Sequence, residues 1–188
     1  MRVYVACSSN DSVFLEYKEL ATDIASILAK RGHKLIFNGK ETGMVGKVFM
    51  TFKFEEGHTK AIVDVKDTDD LEVLDVDAYE VTATTFQKRE RMFKSAELIV
   101  ILPGGVETIA DLFGMLEEVV KRKLDIRIVL FDYKGFYKHI IEFIKTSYNK
   151  NFISRNELQK IDFITDIDSF ERYINKFENG NKEEEEDE

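Results

Sequence analysis

Short apolar runs alternate along the chain with longer stretches in which apolar residues recur every three or four positions. Val3–Cys7 is continuously apolar apart from one tyrosine hydroxyl, the pattern of a strand buried on both faces. After the polar segment Ser8-Ser9-Asn10-Asp11-Ser12, residues Phe14, Tyr17, Ala21, Ile24 and Leu28 repeat at helical spacing. Lys30-Arg31-Gly32 then supplies a cationic last turn and a terminating glycine. The alternation continues with a strand at Lys34–Phe37, a glycine-bearing turn from Asn38 to Gly46 running into a helix, and a strand at Ala61–Val65. The acidic stretch Asp67–Asp77 reads as an exposed loop. Beyond it come a strand at Tyr79–Thr82, a helix at Thr85–Ala96, a strand at Glu97–Leu102 and a helix to about Arg122. A strand at Arg127–Phe131, a helix at Tyr137–Tyr148, a strand near Phe163 and a helix at Ile167–Phe177 complete the pattern.

Strands separated by helices need crossover connections, and these are right-handed and cover both faces of a parallel sheet. The predicted fold is α/β: a Rossmann-like doubly wound parallel sheet with helices on both faces, in one domain over residues 1–178. Ligands of such sheets bind outside the carboxyl ends of the strands. Glycine-bearing turns occupy those ends here.

Composition narrows the classes without changing this picture. The 188 residues are 44% hydrophobic, enough for a single core. The net charge is −9; residues 179–188 hold one lysine and six acids, so −5 sits there and −4 on the rest. That predicts an acidic, disordered tail and argues against a nucleic-acid partner. The single cysteine excludes a disulfide framework, and no apolar run approaches the ~18 residues that span a bilayer. The expectation is a cytoplasmic protein with no membrane partner. The three histidines and one cysteine lack metal-ligand spacing, so no metal is expected.

Leu102-Pro103-Gly104-Gly105-Val106-Glu107-Thr108 is the most chemically pointed segment: a buried strand ends in Pro-Gly-Gly and Thr108 is read as opening a helix. Glycines let backbone N–H groups approach an anion, and a helix N-terminus adds partial positive charge. A phosphate cradle and an ordinary strand–turn–helix connection both fit.

The segment resembles the PGGxGTxxE motif of the Lonely Guy (LOG) family, once described as lysine decarboxylases, and the resemblance spans roughly residues 1–145. Ser8-Ser9 falls where that family has a Gly-Ser turn, and Gly39, Gly43 and Gly46 match its GGGxxGLMG loop. Thr85–Met92 is similar to its MHxRKxxM helix. The resemblance implies a nucleoside 5′-monophosphate phosphoribohydrolase, a homodimer with sites near the subunit interface, and no cofactor. It assigns catalysis to Asp111, Lys88 and Arg89. Phosphate or substrate binding falls to Ser8, Ser9, Gly39, Gly43, Gly46, Gly104, Gly105, Val106, Glu107 and Thr108.

This chain departs from the family at chosen points. Lys88 stands in the arginine slot with Arg89 in the following lysine slot, Asp111 replaces the glutamate, and Glu107 replaces a motif glycine. Lysine lacks the planar two-pronged grip of a guanidinium, and aspartate is one methylene shorter than glutamate. Glu107 adds negative charge at the cradle and is expected to strain the backbone if glycine's conformation is required. Thr108-x-x-Asp111 also approximates a capping box, so Asp111 reads either as a cap alone or as a cap with a site role. Ile109, Phe113, Leu116 and Val120 are the expected buried face of its helix, with Asp111 roughly opposite. Arg89 falls on the apolar side of its own helix, which calls for a carboxylate or ligand partner. A catalytically impaired nucleotide- or cofactor-binding protein, a sensor or carrier, is the alternative function. A decarboxylase would need a Schiff-base lysine constellation that the sequence does not show.

Cys7 reads as core and the histidines as isolated. The phenylalanines and tyrosines read as core filling, with Gly135-Phe136-Tyr137 capping the next helix.

Overall fold

The computed structural model describes residues 1–68 and 74–186, with side chains through residue 179. Seven strands form one all-parallel sheet: β1 (Arg2–Ala6), β2 (Lys34–Phe37), β3 (Thr59–Asp64), β4 (Ala78–Thr82), β5 (Leu98–Ile101), β6 (Arg127–Phe131) and β7 (Ile161–Ile164). Helices α1 (Leu15–Lys30), α2 (Gly43–Phe54), α3 (Thr85–Ser95), α4 (Val106–Lys121), α5 (Lys138–Asn149), α6 (Arg155–Leu158) and α7 (Ile167–Glu186) connect or follow them. The order β4-β3-β2-β1-β5-β6-β7 bears out the doubly wound reading. The chain builds outward from β1 through β4, then returns to β5 on the other side of β1. Val3 pairs with Leu98 and Ala6 with Ile101, so the carboxyl ends of β1 and β5 lie side by side where the order reverses.

The pleat of β1 divides the core. Val3, Val5 and Cys7 face one layer, with Leu20, Ile24 and Leu28 of α1, Val48 and Phe52 of α2, and Phe170 and Ile174 of α7. Tyr4 and Ala6 face the other, with Met92 and Phe93 of α3 and Leu112, Met115 and Val119 of α4. Strands buried on both faces explain why they read as unbroken apolar runs.

Several boundaries move, for identifiable reasons. α4 begins at Val106 with Gly105 as its N-cap, so Thr108 lies in the first turn and does not open the helix. Thr108 and Asp111 therefore form no capping box. α3 starts where predicted, because the Thr84 hydroxyl accepts from Gln87 N while Gln87 Oε1 accepts from Ala83 N. The one-turn helix α6 has no periodicity to reveal it, but Ser154 and Glu157 form a reciprocal capping box. The helical backbone of α7 runs through 179–186, where composition predicts a disordered tail. Part of the loop read at Asp67–Asp77, residues 69–73, lies outside the described residues.

Of the motif glycines Gly46 and Gly105, only the first is fixed by packing. A Cβ on Gly46 would meet the backbone oxygen of Glu41 at 1.9 Å, whereas one on Gly105 would meet nothing within 4 Å. Gly46→Ala is expected to destabilise the fold by about 1–3 kcal/mol or more, since backbone must shift to relieve the clash. Gly105→Ala loses only an N-cap preference worth under about 1 kcal/mol. Urea melts of the two variants check the ordering.

Candidate active site

Loops from β1, β2 and β5 meet at the point where the strand order reverses, and the two glycine motifs there have different fates. At the N-terminus of α2, Gly43 N donates to Asp11 Oδ1 at 2.7 Å. Met44 N and Val45 N both donate to Ser8 O, at 2.8 and 3.3 Å, and Thr42 Oγ1 donates to Ser9 O. A Cβ on Gly43 would lie 2.6 Å from the backbone carbon of Ser9. Gly39, at φ +78°, packs so closely that a Cβ would touch Val63 Cγ1 at 2.5 Å. Gly43 and Ser9 are thus spent on docking the loop after β1 onto α2, Gly39 on close packing against β3, and Gly46 on close approach to the Glu41 backbone.

The segment after β5 is arranged differently. Tyr137 anchors it from below, its hydroxyl donating to Leu102 O at 2.8 Å and accepting from the N–H of Gly104. Burial pushes the Tyr137 phenol up, which keeps the hydroxyl a donor. A Cβ on Gly104 would run into Thr108 Oγ1 at 2.2 Å, so glycine lets the buried Thr108 side chain fold back onto the loop. α4 has no side-chain N-cap. Its first-turn N–H groups face outward with the partial positive charge of the helix end. Val106 is 88% exposed, and Glu107 is exposed and helical. Contrary to expectation Glu107 carries no strained backbone: the positive-φ non-glycine residues among those described are Glu56, Lys123, Lys134 and Asn151. Its carboxylate in a first helical turn also complements the helix dipole.

Ser8, Gly104 and Gly105 line a cavity of about 350 Å³ at this crevice, together with side chains from the start of α1 and from the β6–α5 connection. Cys7 lies buried just beneath, its thiol pushed up by burial.

Asp111, Arg89 and Lys88 lie apart from this cavity. Asp111 faces into the protein, 8% exposed, on the same side of α4 as Leu112, Met115 and Val119. That corrects the expected orientation; Ile109, Phe113 and Val120 are only partly buried. Asp111 Oδ2 accepts from the Tyr4 hydroxyl at 2.7 Å, and Oδ1 accepts from Arg89 Nε at 2.6 Å. Arg89 lies against Gly114, where a Cβ would stand 3.5 Å from its Cδ. The inward-facing guanidinium therefore has the carboxylate partner its position calls for. Lys88 is 5% exposed and reaches Asp67 Oδ2 at 3.6 Å, beyond the carboxyl end of β3. Nearby, the Lys66 N–H and the Thr85 hydroxyl hold the Asp64 carboxyl below the usual range. Desolvation, followed by the Asp111 carboxylate, raises Tyr4 well above the ordinary tyrosine value.

Sequence reasoning gave no site role to Tyr4, Tyr137 or the ring-bearing residues of the cavity. A hydroxyl in an apolar strand was the available signal for Tyr4. Aromatic residues pass for core filling, yet Phe14, at the mouth of the cavity, is 76% exposed.

A Rossmann-like sheet with a glycine-bearing helix N-terminus at its switch point defines the class, and comparison with known proteins defines the family. The chain belongs to the family described as "Possible lysine decarboxylase", whose model matches residues 43–174, and is a divergent LOG member within it. Over 158 residues it is 27% identical to cytokinin riboside 5′-monophosphate phosphoribohydrolase LOG5 of Arabidopsis thaliana, covering 83% of this chain and 69% of that protein. A phosphoribohydrolase of the same name from Mycobacterium marinum is 26% identical over 155 residues, covering 81% of this chain and 82% of that protein. Among solved structures, the molybdenum cofactor carrier protein of Chlamydomonas reinhardtii superposes with a TM-score of 0.70 at 16% identity, over 93% of this chain and 96% of that one. The molybdenum cofactor binding protein of Rippkaea orientalis gives 0.63 at 15%, over 94% of each chain. These two likenesses concern the fold. No helix among the described residues is long and apolar enough to cross a membrane.

Tyr4 links the site to alkaline stability. Its unfolded pKa is the ordinary tyrosine value of about 10 and its folded pKa is higher. The protonated hydroxyl thus contributes stability that is complete below about pH 10 and is lost as the pH rises from there toward the folded value. Stability measured by urea melts should fall above about pH 9–10, and Tyr4→Phe should lower stability at pH 7 by about 1 kcal/mol while making that fall shallower.

Proposed function

We propose that this protein is a nucleoside 5′-monophosphate phosphoribohydrolase, cleaving the N-ribosidic bond to release free base and ribose 5-phosphate. The observation that carries the reading is Asp111: the motif's last carboxylate is retained, buried, and joined to a guanidinium from the helix that resembles the family's MHxRKxxM segment. The phosphate would sit on the outward N–H groups at the start of α4, with Gly104, Gly105, Val106, Glu107 and Thr108 forming the turn. Ser8 borders the same crevice. Gly39, Gly43, Gly46 and Ser9 would support it from behind.

In the reaction a water oxygen bonds to the anomeric carbon and the C1′–N bond breaks, its electron pair and one proton going to the departing base. The transition state has oxocarbenium character, so Asp111 would stabilise the sugar cation or take the water's proton. Arg89 would orient Asp111, and Lys88 would stabilise charge as the base leaves. No step calls for a metal or redox cofactor. The working form would be a homodimer, as the resemblance implies, in the cytoplasm, as the composition suggests.

A second reading, a nucleotide or cofactor binder without turnover, is favoured by one feature of the geometry. Both Asp111 oxygens are already occupied within the chain, and Asp111 does not line the cavity beside the Pro103–Gly105 turn.

Release of free base from a panel of nucleoside monophosphates, with the matching nucleosides as controls, separates the two. The hydrolase reading predicts release from monophosphates only, reduced at least about 100-fold by Asp111→Asn and more than tenfold by Arg89→Ala. Saturable binding with no release would establish the binder.

A further inference from the structure

Asp111 is held from two sides, and the two holds differ in kind. Oδ2 accepts from the Tyr4 hydroxyl at 2.7 Å, and Oδ1 accepts from Arg89 Nε at 2.6 Å. Tyr4 is 3% exposed in the middle of β1, opposite Ile99 of β5, and shares its layer with Met92, Phe93, Leu112 and Met115. A phenylalanine would fill that apolar layer equally well. A hydroxyl buried there is costly unless it is paired, and Asp111 is its partner. Burial, and then the Asp111 carboxylate, push the Tyr4 phenol well above the ordinary tyrosine value, so the hydroxyl stays a donor.

Arg89 gives a looser grip. Its side chain is 24% exposed and borders, with Phe86, Phe93 and Gly114, a cavity of about 370 Å³ between α3 and α4. No side chain braces the arginine stem at Gly114, where even a Cβ would stand 3.5 Å from Arg89 Cδ. A long stem beside open volume keeps rotamer freedom, whereas a tyrosine has two side-chain torsions and this ring is locked by packing. Arg89 alone would leave the carboxylate able to pivot about Oδ1. The second hold, from the sheet, removes that pivot.

We infer that Tyr4 is a positioning residue for Asp111: its hydroxyl fixes Oδ2 from within the sheet, so that exchange of a partner for water or the sugar is confined to Oδ1, on the Arg89 side. The aspartate is one methylene shorter than the glutamate of the motif, so its aim depends on what holds it. A displacement near 1 Å can cost about 100-fold in rate. The inference rests on the hydrolase reading and adds to it the group that aims the carboxylate.

The test is release of free base by the full chain carrying Tyr4→Phe, with kcat and KM read separately on the nucleoside monophosphate that the unsubstituted protein cleaves fastest. The control is Val119→Ala, which loosens the same buried layer farther along α4. Tyr4→Phe should lower kcat about tenfold or more and leave KM within about twofold, since the hydroxyl acts through Asp111 and not on ground-state binding. Val119→Ala should keep kcat within about twofold, with both variants assayed well below their melting midpoints. In an Asp111→Ala background, Tyr4→Phe should lower the residual rate by no more than about twofold, because the group it aims is gone. An unchanged kcat in Tyr4→Phe, a loss matched by Val119→Ala, or a full further loss in the Asp111→Ala background would overturn the positioning role and leave the hydrolase reading standing. No release by the unsubstituted protein from any monophosphate would overturn the hydrolase reading and the positioning role together.

Discussion

The parallel pairing of β1 with β5 is the constraint on which the site depends. It joins the two halves of a chain that builds outward in opposite directions, and it sets the ends of those strands side by side. Ser8 after β1 and Gly104-Gly105 after β5 share a cavity for this reason alone, although nearly a hundred residues separate them. The same pairing places Tyr4 in the middle of the sheet, where its side chain rises between α3 and α4 to meet Asp111. A crevice at the strand ends and a buried polar cluster beneath α3 and α4 thus both depend on one strand pair.

Two helix N-termini meet at that crevice, and their hydrogen bonding assigns them different work. The first N–H groups of α2 are consumed by Ser8 O and the Asp11 carboxylate, so this glycine loop is a structural clamp. α4 has neither a side-chain cap nor a comparable clamp, and its glycines keep bulk away from the turn. An unfilled helix end is costly unless water or a ligand meets it. The Arg89–Asp111 pair carries a different cost. One carboxylate with both oxygens engaged is well ordered, but it must exchange a partner with substrate or water before it can act.

Much of this was legible in the sequence because it rests on periodicity. Unbroken apolar runs identified the parallel strands, and the glycine turns lay at their carboxyl ends as the fold requires. Arg89 on the apolar side of α3 announced a buried partner, which is Asp111. What stayed hidden depends on where elements pack. The direction of Asp111 was hidden because α4 carries two adjacent apolar stripes: the one through Ile109, Phe113 and Val120 is only partly buried, and the buried face runs through Thr108, Asp111, Leu112 and Met115. The role of the first glycine loop was hidden because its N–H partners come from Ser8 and Asp11, more than thirty residues away. Phe14 looked like core and Phe136 like part of a helix cap, since nothing local distinguishes a ring that fills a core from one that borders a cavity.

The central claim is that of the two glycine motifs only the one opening α4 receives the anionic group of a ligand. Backbone amide shifts during titration with adenosine 5′-monophosphate test this most directly. The account predicts saturable perturbation of Gly104 through Thr108, with Gly43 through Gly46 little changed. Perturbation centred on Gly43–Gly46, with Gly104–Thr108 unmoved, would contradict it.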